Sequence, residues 1–240
     1  MFDVTTIYLS TAALLGVVTV VFAARSVRLP ASVRRYGVAT VVAAGSMTLA
    51  YLGMAGEVLM VETTGGDQSV ARFLAYTASW AGICYVIGAV AGVTRRLTLG
   101  LFGALTVAVW SALGGWLLEG PGELAATVTT LFSLAVVIAL LYGPFDESST
   151  TVGGARYLLF GKLKHLLLLG WAALVVVSVV SEQNLALVDT FVGQLVASYV
   201  DALLFVGFGG FVLANRDALE AAAGSYAGAT RSREATDAQA

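Results

Sequence analysis

A chain of 240 residues with 58% hydrophobic and 12% charged residues is no ordinary soluble domain, since such domains carry about 25% charged residues. A net charge of −2 offers no basic footprint for nucleic acid. The single cysteine, Cys84, lies inside an apolar run; it excludes an internal disulfide and a cysteine-held metal cluster, and reads as a small core residue.

Seven apolar runs divide the chain, each long enough for the roughly 17–25 residues that cross a bilayer. The first predicted span is Thr6–Ala24; it lacks a basic lead and an A-x-A-like cleavage site, so it reads as a span and not as a removable signal peptide. The others are Tyr36–Gly56, Val70–Val93, Leu97–Leu118, Leu124–Gly143, Tyr157–Val180 and Ala186–Ala214. Strands are excluded from the lipid, which offers no partner to open backbone groups, and none is expected elsewhere. After Leu219 the sequence turns polar and rich in Ala, Gly and Ser. The expected organisation is therefore a seven-helix transmembrane domain over residues 1–219 and a disordered tail over 220–240.

Charge alternates along the connections. Arg25, Arg28, Arg34 and Arg35 lie between the first and second spans, and Arg95 and Arg96 between the third and fourth. Arg156, Lys162 and Lys164 lie around the start of the sixth, and Arg216, Arg231 and Arg233 follow the seventh. The other connections carry acids: Glu57, Glu62 and Asp67, then Glu119 and Glu123, then Glu182 and Asp189. Of the 13 basic residues, only Arg72 falls outside the first set. The positive-inside rule then puts the N-terminus outside the cell membrane and the C-terminus in the cytoplasm.

Within the spans, charge is scarce. Asp201 sits mid-way along the seventh and Arg72 near the start of the third. Ionisable residues at membrane depth are costly and face the bundle interior. Asp201 is read either as a relay, counter-ion or switch, or as a structural contact to Arg72 or to a tyrosine such as Tyr51. His165 beside Lys164 reads as a solvated interface residue, and no His or Cys pair has metal-ligand spacing. No nucleophile–base pair is visible, so an enzyme is not expected.

Several stretches resemble one family. Tyr199-Val200-Asp201 through Val206-Gly207-Phe208-Gly209 is similar to the Asp-x-x-x-Lys-Val-Gly-Phe-Gly of the last helix of microbial rhodopsins. Ala71-Arg72-Phe73 resembles the family's Arg-Tyr at the start of the third helix, and Ala50-Tyr51-Leu52-Gly53-Met54-Ala55 its Ala-Tyr-x-x-Met-Ala. Gly143-Pro144-Phe145-Asp146-Glu147-Ser148 looks like the Gly-Pro-x-x-Glu-Ser of haloarchaeal sensory rhodopsins, and Leu159–His165 with Trp171 is similar to the family's sixth helix. The order, spacing and sidedness of these motifs extend the likeness over nearly the whole chain. It implies an all-α seven-helix bundle of the microbial-rhodopsin kind, with bacteriorhodopsin and the sensory rhodopsins as its nearest kin.

The departures bear on function. The position matching the retinal-binding lysine is Phe205, which has no amine to form an imine. Lys162 and Lys164 are the chain's lysines, and both lie at the cytoplasmic mouth of the sixth span. The counter-ion position is Ala75, and the proton-donor position of the pumps is Val86. The residues matching the retinal-sandwiching rings and their neighbours are Tyr76, Ser79, Trp80, Ala81, Leu174, Val175 and Ser178, with Trp171 kept. A refilled or reshaped cavity is expected, with no covalent retinal and no other cofactor. Tyr51, Arg72 and Asp201 form the expected polar cluster. Tyr199 matches a tyrosine that sensory rhodopsins use to contact a transducer, and a packed or interfacial tyrosine is its other reading. The resemblance implies an opsin-related membrane protein acting in signalling or assembly. Its partners would be the lipid bilayer and a transducer-like or other membrane protein, with a homo-oligomer open. A receptor or carrier of a non-covalent retinoid or other lipid is the first alternative; ion transport or channel activity is the second.

Overall fold

The computed structural model describes residues 3–63, 66–182 and 184–224. Among the described residues, seven helices are long and apolar enough to cross a membrane. They are α1 (Val4–Val27), α2 (Arg34–Ala55), α3 (Val70–Ala91), α4 (Arg95–Leu117), α5 (Pro121–Tyr142), α7 (Gly154–Val180) and α8 (Thr190–Ala214), with a short α6 (Pro144–Val152) between the fifth and sixth spans.

The ends of the spans follow local chemistry. Asp3 caps α1, its carboxylate accepting from the backbone N–H and the hydroxyl of Thr6 at 2.8 Å each. Those bonds hold the Asp3 carboxyl below its ordinary range. α3 stops at Gly92, whose φ of 75° is the left-handed conformation that glycine adopts without strain. The seventh span starts later than its apolar run. Ala186 has a φ of 49° and is outside any helix. The start falls at Thr190, where Asp189 accepts from the N–H of Val192 at 2.8 Å.

Two elements depart from the sequence reading. The connection after α2 forms a hairpin of β1 (Met60–Val61) and β2 (Gln68–Ser69), antiparallel with Met60 opposite Ser69. Strands were excluded from the lipid; this pair lies in a connection between spans. The polar segment after Gly143 is the helix α6, begun by Pro144 with Asp146 and Glu147 in its first turn. Residues 216–224 are also helical, and Ala218, Leu219 and Ala222 are buried. Residues 220–224 of the expected disordered tail are thus helical, and 225–240 lie outside the described residues.

The helices close a ring. α1 lies between α2 and α8, α2 packs on α3, α3 on α4 and α7, and α7 on α8. α3 is the most buried span and α5 the most exposed. α5 packs on α4 and meets α6, with no comparable packing onto α7. Close approach depends on small residues. A Cβ at Gly209 of α8 would sit 2.0 Å from the Phe22 ring of α1, and one at Gly82 of α3 would sit 2.8 Å from the Ala39 carbonyl oxygen of α2. At the end bearing the arginine-rich connections, Arg156 of α7 donates to the carbonyls of Val90 at 3.0 Å and Ala89 at 2.8 Å, occupying free acceptors at the end of α3.

Candidate functional site

Asp201 lies mid-way along α8 and is fully buried. A carboxylate there survives only with donors around it. It has three. Tyr51 of α2 donates to Oδ2 at 2.6 Å, Arg72 of α3 donates to the same oxygen at 2.8 Å, and Tyr76 of α3 donates to Oδ1 at 2.7 Å. The second guanidinium terminus of Arg72 donates to Gln194 Oε1 at 3.2 Å, and the cation lies 5.8 and 5.6 Å from the rings of Tyr51 and Tyr76. One ion pair with its tyrosine donors therefore ties α2, α3 and α8 together.

The structure brings together Tyr51, Arg72 and Asp201 from the sequence reading and adds Tyr76 and Gln194. Both additions had a signal. Tyr76 lies four residues after Arg72, one helical turn along the same face, and Gln194 lies seven before Asp201, two turns along. Tyr199 is not part of the cluster; it stands on the outer face of α8, 64% exposed.

An aromatic column begins at the cluster. Tyr76 stacks on Trp80 at 5.9 Å between centroids, and Trp80 stacks on Trp171 of α7 at 5.7 Å. Phe205, one turn beyond Asp201, lies 6.5 Å from Tyr76 and 6.3 Å from Trp80 and is fully buried. Ala75 is buried, and its carbonyl accepts from Ser46 at 3.3 Å; Val86 is buried too. The lysines lie toward the start of α7. Lys164 pairs with Asp146 and faces the Tyr142 ring at 4.4 Å, and the Lys162 ammonium is 6.0 Å from the Phe211 ring. His165 meets the Gly161 carbonyl at 2.7 Å and is exposed. Among the described residues no three of His, Cys, Asp and Glu converge on a metal position.

Beside the column is a cavity of about 250 Å³ walled by α3, α4, α5, α7 and α8. The buried residues Arg72, Tyr76, Trp80 and Trp171 are among those that line it. Glu123, Glu182 and Asp189, from the acidic connections and the first turn of α5, also line it and are exposed.

No family model and no curated protein matches the chain. Solved structures do. A thermophilic rhodopsin from Rubrobacter xylanophilus superposes with a TM-score of 0.85 at 20% identity, covering 92% of this chain and 100% of that one. A cyanorhodopsin from the cyanobacterium Calothrix gives 0.86 at 16% identity, covering 93% and 100%. A light-driven proton pump from Leptosphaeria maculans gives 0.83 at 16% identity, covering 92% and 98%. The chain has the seven-helix fold of the microbial rhodopsins and is a multi-pass membrane protein.

Proposed function

We propose that this chain is an opsin-type membrane protein that holds no covalent retinal and acts, without photochemistry or catalysis, in signalling or in assembly with another membrane protein. The observation that carries the reading is the packing of Phe205. At the position matching the retinal-binding lysine, a fully buried phenyl ring packs against Tyr76 and Trp80. Imine formation needs a primary amine, and Lys164 is engaged with Asp146 at a distant turn of α7. The residues do not fit covalent retinal. The Arg72–Asp201 pair is closed on itself, with tyrosine donors on both carboxylate oxygens. That closure supports a structural joint between helices over a conduction path. The N-terminus is proposed to lie outside and the C-terminus in the cytoplasm, on the strength of the basic connections.

The partner-facing element proposed is the outer face of α8 around Tyr199, flanked by exposed Leu195, Val196 and Leu203. Tyr199 as a transducer-like contact rests on the likeness to sensory rhodopsins.

The deciding experiment is purification with all-trans-retinal supplied, followed by absorption spectroscopy and borohydride reduction. The expected result is the spectrum of free retinal and no retinyl label on the chain. A visible-range pigment, or a stable label on Lys162 or Lys164, would overturn the reading. Photo-crosslinking from position 199 in native membranes tests the partner: an adduct with another membrane protein is expected, and lipid adducts alone would remove that role.

A further inference from the structure

We infer that the exposed arginines at one end of the bundle form a surface that holds the phosphate headgroups of acidic phospholipids. They are Arg25, Arg28 and Arg34 around the α1–α2 connection, with Arg95 and Arg96 at the start of α4. This goes beyond the proposed function and rests on charge, not on the packing of Phe205.

The charges are unmatched within the chain. α1, α2, α3 and α4 contain no Asp or Glu. All five arginines are exposed, and among the described residues none pairs with a carboxylate. Other cations at the same end are settled differently. Lys164 takes Asp146, Arg216 takes Glu220, Arg35 lies 5.0 Å from the Tyr36 ring, and Arg156 is buried against the carbonyls of α3. Glu147 and Asp217 are exposed there and pair with none of the five. Arg25 and Arg28 are joined by a backbone hydrogen bond of 3.1 Å, and the Arg34 guanidinium reaches back to the Leu29 carbonyl at 3.5 Å. Three like charges are thus gathered on one short connection with no acid among them. The helix dipoles do not offset this. α2 opens on Arg34 and Arg35, α4 on Arg95 and Arg96, and neither has an acid in its first turn. The resulting field attracts an anion.

The side-chain type and the surroundings name the anion. A guanidinium offers phosphate a planar fork of donors, which an ammonium does not. Apolar side chains interleave with the arginines. Val27, between Arg25 and Arg28, is 69% exposed; Val38, one turn after Arg34, is 50% exposed; Leu99, one turn after Arg96, is 54% exposed. The arginines therefore stand where the lipid-facing apolar surface ends. Their stems can lie along acyl chains while their heads reach the phosphate plane. A soluble polyanion would neutralise the charges and leave those apolar side chains uncovered. An acidic phospholipid satisfies both at once.

The test uses the full-length protein reconstituted in phosphatidylcholine vesicles. Trace spin-labelled phosphatidylglycerol, or spin-labelled phosphatidylcholine in parallel, reports by electron paramagnetic resonance how much of each lipid the protein immobilises. Phosphatidylglycerol should be held about fivefold over phosphatidylcholine, the selectivity that one basic residue near an acidic surface supplies. Arg25→Gln with Arg28→Gln and Arg34→Gln should bring the ratio most of the way to unity, and Arg95→Gln with Arg96→Gln should lower it by a smaller step. Shielding of Cys84 from maleimide shows that each variant is folded. The two sets fall on separate connections, so a failure of one to fold leaves the other decisive. Exchanging chloride for inorganic phosphate at equal ionic strength should leave the ratio unchanged. Equal immobilisation of the two lipids, or a ratio that folded arginine variants retain, overturns the inference. Loss of the ratio in inorganic phosphate also overturns it, by assigning the surface to a soluble anion.

Discussion

Removing either member of the Arg72–Asp201 pair should destabilise the bundle far more than a surface change. With Asp201→Asn, an amide turned so that its oxygen replaces Oδ2 keeps the bonds from Tyr51 and Arg72, and its NH₂ can donate to the Tyr76 oxygen. The hydrogen-bond count survives while the charge does not. Arg72 is then left buried with neutral acceptors alone, the new amide oxygen, Gln194 Oε1 and the Tyr51 hydroxyl, and with no matching charge. An uncompensated buried charge costs about 3–5 kcal/mol, and at roughly 2–4 °C per kcal/mol for a chain of this size the melting temperature should fall by about 10 °C. Arg72→Gln strands the carboxylate, which keeps its two tyrosine donors, so its cost should sit at the lower end. The double variant leaves no stranded charge and should cost well under the sum, with a coupling of about 2–3 kcal/mol. Cys84 supplies the assay. It is 1% exposed, so a fluorogenic maleimide reads unfolding as the thiol emerges during a thermal ramp in detergent. Additive single effects, or a silent Asp201→Asn, would refute the ion-pair reasoning.

Three further outcomes are expected. In a Cys84→Ser background, an impermeant maleimide applied to intact cells should label Glu62→Cys and spare Glu147→Cys; labelling of both from outside would remove the proposed orientation. Gly209→Ala should lower the melting temperature by several degrees, because its Cβ would meet the Phe22 ring at 2.0 Å; overpacking of this kind costs about 1–3 kcal/mol. Adding Phe22→Leu should restore part of that loss, and a full-strength Gly209→Ala would show that α1 yields freely. Phe205→Lys alone should give little pigment with retinal, whereas Phe205→Lys with Ala75→Asp should give more, read as visible absorbance; equal yields would detach the counter-ion role from position 75.

The seven spans were legible because run length and apolarity are local properties, and lipid enforces them. Span ends were legible only to a few residues, since a cap depends on one side chain reaching one N–H. Asp189 and Ala186 illustrate this: the apolar run begins before the geometry allows a helix. α6 and the hairpin escaped notice because short polar elements leave no periodic signal of that strength. Tyr51, Arg72 and Asp201 were legible as inward-facing residues of matching depth. Tyr76 and Gln194 follow from helical periodicity once Arg72 and Asp201 are taken as anchors. The cavity was legible in part: Tyr76, Trp80, Trp171, Leu174, Val175 and Ser178, at the positions where a reshaped cavity was expected, line it, whereas its reach to α4 and α5 depends on the separation of α5 from α7, which no residue encodes by its identity.

The pairing of Arg72 with Asp201 also sets a schedule for biogenesis. The two residues are 129 positions apart, so at about 5–20 residues per second the ribosome needs roughly 6–26 s to deliver the carboxylate after the arginine. During that interval α3 carries an unmatched cation near its end, where a long side chain can reach toward the membrane surface. α8 is the last span made, and it brings the matching charge together with the surface that closes the ring against α1 and α7. A ribosome stalled before α8 would leave a six-span intermediate holding an unpaired arginine, a mark by which membrane quality control can distinguish unfinished chains from finished ones.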